Sequence, residues 1–202
     1  MKPLRDPQGL FLCLGKATAA AGSRLANDPL PALLAQWRGM QTELPVDALL
    51  SRYARDADGR ALAHYTDCFE LTIDDSVDLR AFVRAFYTTA LFRSERIVLS
   101  LAGLRSSDAD VDRLLDGHQE HFAAWTVEDR THDQLLMCDV KRRTRSWFMT
   151  EPVASGTRLR FGSAVTASDA ESIPRAYSIL LRLHRLYSRA LLRAAWRRLR
   201  RR

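Results

Sequence analysis

Between residues 122 and 166 apolar side chains recur at every second position, and from residue 173 onward they recur at every third or fourth. The first spacing is that of a strand with one face on a core, the second that of an amphipathic helix. A run of hairpins has a face to bury, and the only later element long enough to cover it is the final helix. At ~1.5 Å per residue that helix would run ~45 Å if unbroken. Strand, two helices, a meander of antiparallel strands and one long helix is the order of an α+β fold. It predicts a helix-grip arrangement, in which a curved antiparallel sheet wraps around a long C-terminal helix and leaves a cavity between them.

The segments follow from local signals. In residues 65–73, Tyr65, Asp67, Phe69, Leu71 and Ile73 share one face and Thr66, Cys68, Glu70 and Thr72 the other. Asp74, Asp75 and Ser76 supply a capping cluster, after which Leu79, Phe82, Val83 and Phe86 fall at helical spacing. A second helix is predicted over 91–104 and a further turn over 111–115. Strands are expected at 122–129, 134–140, 143–153 and 158–166, with a hairpin signal at 154–157. Residues 168–172 resemble a helix cap. Residues 1–60 carry five prolines and read as a partly helical N-terminal extension, with short helices at 31–40 and 45–55 and a turn at 55–60. The domain proper is then 61–202.

Two stretches carry a family resemblance. Thr157-Arg-Leu-Arg-Phe-Gly-Ser-Ala-Val165 followed by Tyr177-Ser-Ile-Leu-Leu-Arg-Leu-His-Arg-Leu-Tyr-Ser-Arg-Ala-Leu191 resembles the end of a bacterial domain of unknown function. That domain belongs with the START-like, birch-pollen-allergen-like (SRPBCC) superfamily. Leu91-Phe-Arg-Ser-Glu-Arg-Ile-Val-Leu-Ser-Leu-Ala-Gly-Leu104 resembles its second helix, and the likeness spans residues 62–195. The resemblance implies a helix-grip fold and a hydrophobic ligand; it implies no catalytic residues.

Composition narrows the partners. The net charge is +7, yet residues 173–202 alone hold ten arginines and no acidic residue, so the remainder is slightly acidic. Arg185, Arg189, Arg193 and Arg197 recur every four residues as one positive stripe. A solvated face is the simplest reading, and contact with an anionic membrane the next, since Trp196 and Leu199 lie among the arginines. Specific nucleic-acid binding is not expected, because basic groups and a recognition motif are lacking elsewhere. Arginine outnumbers lysine twenty-eight to three, a bias expected of a GC-rich bacterial genome. Three cysteines, Cys13, Cys68 and Cys138, match no metal spacing, and the last two sit in apolar strand patterns as reduced core residues. Residues 9–15 are apolar but too short and too closely flanked by charge for a signal peptide. No apolar run approaches a bilayer span. A cytoplasmic protein, peripheral at the inner membrane surface, is the expectation.

No phosphate-binding glycine loop, nucleophile elbow or metalloprotease motif is present, and no cofactor is expected. His118 and His121 lack a third ligand, so no metal site is expected. The candidate binding residues are those the alternation turns inward: Phe69, Leu71, Trp125, Met137, Trp147 and Phe161, with Tyr177 and His184 from the final helix. Asp139 shares a face with Leu135 and Met137, and Arg145 with Trp147 and Met149. Arg145 is the natural partner for Asp139 or Asp67, since a buried carboxylate needs one. Periodicity leaves either face of 134–140 as the inner one.

Three functions fit these residues. The first is a carrier or binder of a small hydrophobic molecule or lipid, held between sheet and helix. The second is an enzyme of the same fold, a cyclase, hydratase or dehydratase, using Asp139 or Asp67 with His184 or His121 as acid–base partners. The third is an interaction module whose grip is filled by its own side chains.

Overall fold

The computed structural model describes residues 40–55, 60, 65–166 and 175–201, the last segment with its side chains from residue 182 onward. The segment at 9–15, Cys13, residues 31–39 of the helix expected over 31–40, residues 56–59 of the turn expected over 55–60, the cap at 168–172 and the side chain of Tyr177 lie outside the described residues. In chain order the elements are α1 (Ser51–Ala54), β1 (Tyr65–Ile73), α2 (Leu79–Tyr87), α3 (Ala90–Leu101), α4 (Asp108–Leu115), β2 (His121–Phe122), β3 (Trp125–Arg130), β4 (Gln134–Asp139), β5 (Thr144–Val153), β6 (Gly156–Val165) and α5 (Arg175–Leu199).

The strands form one open, curved antiparallel sheet in the order β1-β6-β5-β4-β3-β2. Helix starts are fixed by short polar side chains that accept otherwise unmatched backbone N–H groups. Asp78 caps α2 by accepting from Ala81, Thr89 caps α3 by accepting from Phe92, and Ser107 and Asp110 form a capping box on α4. The α2 cap is therefore Asp78 rather than the 74–76 cluster.

Both faces of the sheet are covered. On the inner face, Phe69, Ile73, Leu135, Met137, Phe148, Leu159 and Phe161 pack against α2 and α5. On the outer face, Cys68, Leu136, Trp147, Met149 and Ala164 form a second cluster with Ala48 and Leu50. The 45–55 segment that supplies this cover is not one helix. It is a chain of four-residue turns, Ala48 bonding back to Pro45, Ser51 to Ala48 and Tyr53 to Leu50, with α1 at its end. The turns follow from Gln134 on β4, whose amide takes the Leu49 N–H at 2.9 Å and donates to the Asp47 carbonyl at 3.1 Å. Trp147 Nε1 donates to the same Gln134 oxygen at 2.8 Å. Gly162, opposite Trp147 on β6, leaves the space: a Cβ there would lie 3.0 Å from Leu50 and 3.1 Å from Trp147.

Two predicted orientations are corrected. Arg145, Trp147 and Met149 lie on the outer face of β5, and Thr144, Ser146 and Phe148 on the inner one. Residues 144–150 are buried on both faces, so hydrophobicity does not tell them apart, and Phe148 competes with Trp147 for the inner position. The predicted strand 122–129 is in fact a hairpin: Ala123 has a φ of 54°, and the chain reverses between β2 and β3. Alternation does not carry through that turn, so His121 is exposed, with Nδ1 2.9 Å from the Thr126 hydroxyl, while Trp125 faces inward.

Candidate functional site

Under α5, between α2, α3 and the middle of the sheet, lies a cavity of about 60 Å³. Its walls include Phe86 and Tyr87 of α2, Glu95 and Leu99 of α3, Trp125 of β3, Asp139 of β4, Ser146 and Phe148 of β5, Phe161 of β6, and His184, Tyr187 and Ser188 of α5. The aromatic part is a single packed cluster: Phe86 meets Phe148 at 4.9 Å and Phe161 at 4.7 Å between ring centroids, and Tyr87 meets Phe148 at 5.4 Å. Such contacts fix the rings at their edges and faces and hold the walls apart.

Four polar atoms of this lining are buried with no hydrogen-bond partner among the described residues: Tyr87 Oη, Trp125 Nε1, His184 Nδ1 and Ser188 Oγ. Buried polar groups are ordinarily paired, and each one left alone costs roughly 1–3 kcal/mol. A larger groove of about 570 Å³, open along the 45–47 turn, the start of α2 and the β5–β6 hairpin, has no such atom in its walls.

The protonation pattern around His184 follows from its neighbours. Asp67, buried on β1, takes the Ser163 backbone N–H at 2.9 Å and the Ser163 hydroxyl at 2.6 Å on one oxygen, and the Tyr65 hydroxyl at 2.5 Å on the other. The single Ser163 proton is thus committed to Asp67. His184 Nε2, 2.9 Å from the Ser163 oxygen, carries the hydrogen of that contact, which leaves Nδ1 as a bare acceptor. Burial holds the imidazole below its usual pKa, so it is neutral. Arg185 donates from Nε to the Tyr65 hydroxyl at 2.8 Å and closes the chain.

Glu95 is the residue that sequence reasoning missed. It is 9% exposed, receives the Tyr187 hydroxyl on Oε2, and burial pushes its pKa up to about 7. The signal was available: Phe92, Glu95 and Leu99 stand at i, i+3 and i+7, so an acid interrupts the apolar stripe of its helix. Asp139 also faces the cavity, but its Oδ1 accepts the N–H groups of Arg143 at 2.7 Å and Thr144 at 3.0 Å. It therefore holds the β4–β5 turn, as an Asx side chain does.

Of the residues expected to bind, Trp125, Asp139, Phe161 and His184 line the cavity. Phe69 and Met137 are buried in the inner core beside it, and Leu71 packs on that core. Arg145 and Trp147 are on the far side of the sheet. Arg145 pairs with Glu128 at 3.2 Å and lies 4.2 Å over the Tyr53 ring, so it meets neither Asp139 nor Asp67. Its separation from both is the consequence of the inverted face of β5.

The arginine stripe is only partly a solvated face. Arg185 lies over the Tyr65 ring at 5.1 Å; Arg189 lies over Phe69 at 4.9 Å and bonds to Gln41 at 3.0 Å. Trp196 donates its indole N–H to the Thr72 carbonyl at 2.8 Å, and Arg197, Arg200 and Arg201 are exposed. Among the described residues no helix is long and apolar enough to cross a membrane, and no cluster of His, Cys, Asp and Glu could hold a metal ion.

Comparison with protein-family models, with curated proteins and with solved structures finds no match for this chain.

Proposed function

We propose that this is a helix-grip binding protein whose cavity takes a small, largely apolar molecule carrying hydrogen-bonding groups. The observation that carries the reading is that Tyr87 Oη, Trp125 Nε1, His184 Nδ1 and Ser188 Oγ, all buried and without a partner among the described residues, belong to the walls of one mostly apolar cavity. A ligand that meets these atoms recovers the cost of leaving them unpaired. The volume, well below the ~300–1,000 Å³ of drug-sized sites, suits a molecule of a few heavy atoms rather than a lipid chain. An acid–base enzyme is the second reading. It is favoured by Glu95, whose pKa of about 7 would let it both take and give a proton near neutrality. In that reading Asp67 acts only on the orientation of Ser163 and His184, since it does not reach the cavity wall.

The test is native mass spectrometry of freshly purified protein, with solvent extraction of what it carries. Retention of a small molecule that drops at least tenfold in Trp125→Ala is the expected result. Protein at the bare-chain mass, with a Trp125 indole signal unmoved by a library of small amines, alcohols and acids, would overturn the proposal in favour of a filled-core interaction module.

A further inference from the structure

The cavity wall contains two buried carboxylates, Glu95 at 9% and Asp139 at 5% exposure, and among the described residues no lysine or arginine. Elsewhere several acidic side chains are met by arginine: Asp108 by Arg93 and Arg96, Asp112 by Arg84, Glu128 by Arg145, and Glu151 by Arg158 and Arg160. In a chain so rich in arginine, the buried acid of α3 is left facing aromatic rings.

Asp139 has an internal remedy, because two backbone N–H groups donate to its Oδ1 and stabilise its charge. Among the described residues Glu95 has only the neutral Tyr187 hydroxyl, which satisfies one lone pair and no charge. A buried carboxylate without a counter-charge is expensive, and a cation hydrogen-bonded beside it offsets part of that expense. The remaining walls are those a cation prefers. Tyr87, Trp125, Phe148 and Tyr187 line the same space, and aromatic faces attract an ammonium through their quadrupoles, more strongly where water is excluded. His184 adds a bare acceptor at Nδ1, inferred from its bond to Ser163, which an ammonium N–H can meet and which a carboxylate or phosphate would oppose.

Resting on the reading of the cavity as a binding site, we propose that its ligand is a small protonated amine, held by the Glu95 carboxylate, His184 Nδ1 and the surrounding aromatic rings. Specificity then lies in charge as well as shape: neutral isosteres leave Glu95 unmatched, and anions are repelled by Glu95 and Asp139.

Probes of four or five heavy atoms match the size of the cavity and separate the possibilities. The full chain is titrated at pH 8 with propylamine, 1-propanol and propionate, following the Trp125 indole N–H by NMR, its signal assigned from Trp125→Phe. The expected result is saturable movement with propylamine at a concentration at least tenfold lower than with propanol, and none with propionate. In Glu95→Gln the preference for amine over alcohol should collapse to within about threefold, while propanol still binds, which shows the variant folded and its cavity intact. Propanol or propionate binding as well as propylamine to the unaltered protein would overturn the amine proposal and leave the cavity a binding site for another class. An unchanged amine preference in Glu95→Gln would also overturn it, by removing the group said to confer it. No movement with any probe would overturn both the amine proposal and the binding reading beneath it.

Discussion

Glu95→Gln is expected to stabilise the protein by about 2–3 kcal/mol at pH 8 and to leave its stability unchanged near pH 4. The pKa of Glu95 is about 7 in the folded chain against 4.5 for an unperturbed glutamate, because burial disfavours the charged form. Between those values the native state keeps a proton that the unfolded chain has released, so stability falls as the pH rises. The contribution is full below about pH 4.5, declines from there to about pH 7, and is flat above it. A glutamine cannot ionise, keeps an oxygen for the Tyr187 hydroxyl, and carries only the smaller cost of a buried amide. Thermal melts of both proteins from pH 4 to pH 8 should coincide at the acid end and separate by roughly 5–10 °C at the alkaline end. Parallel curves at every pH would mean that Glu95 does not titrate as its surroundings dictate.

Trp147→Ala should cost about 3–5 kcal/mol, the range for removing a fully buried aromatic side chain. The indole is wholly inaccessible at the centre of the outer cluster and donates to Gln134, the same amide that holds Asp47 and Leu49. Its loss opens a void between Leu50 and Gly162 and removes one donor from Gln134, so the 45–55 segment should loosen before the sheet does. Hydrogen exchange would read this directly: the Leu49 amide should lose protection by at least tenfold, while amides of β6 that pair with β1 fall only with global stability. Equal losses at both places would show that the outer cover and the sheet unfold together.

How far such features were legible in the chain depended on contrast between faces. In β1 and β6 one side carries Phe69, Leu71, Leu159 and Phe161 and the other Glu70, Arg158 and Arg160, so the inner face can be read directly. In β5, Trp147 and Phe148 are adjacent and both buried; nothing in the strand itself distinguishes the faces, and the deciding partner is a segment nearly a hundred residues earlier. His121 was misplaced because two alanines look like strand, although one of them adopts a left-handed turn. The stripe of His184, Tyr187 and Leu191 on the last helix was readable at helical spacing. The tie from His184 through Ser163 to Asp67 was not, because it depends on the register in which Asp67 lies opposite Ser163.

The strand β1 occupies one border of the sheet, yet its free side is not bare. Glu70 N–H bonds to the Met40 carbonyl at 2.8 Å and Thr42 N–H to the Cys68 carbonyl at 3.0 Å, with Gln41 bridged to Phe69 between them. Arg189 bonds to Gln41 at that border. An exposed strand border is a template on which a second molecule can add its own strand and begin an aggregate. Three residues before the first strand occupy part of that template, and at the opposite border β2 is only two residues long. The same short stretch that begins the cover over Trp147 thus occupies this border, which links the protection of the sheet's edge to residues that lie outside the sheet.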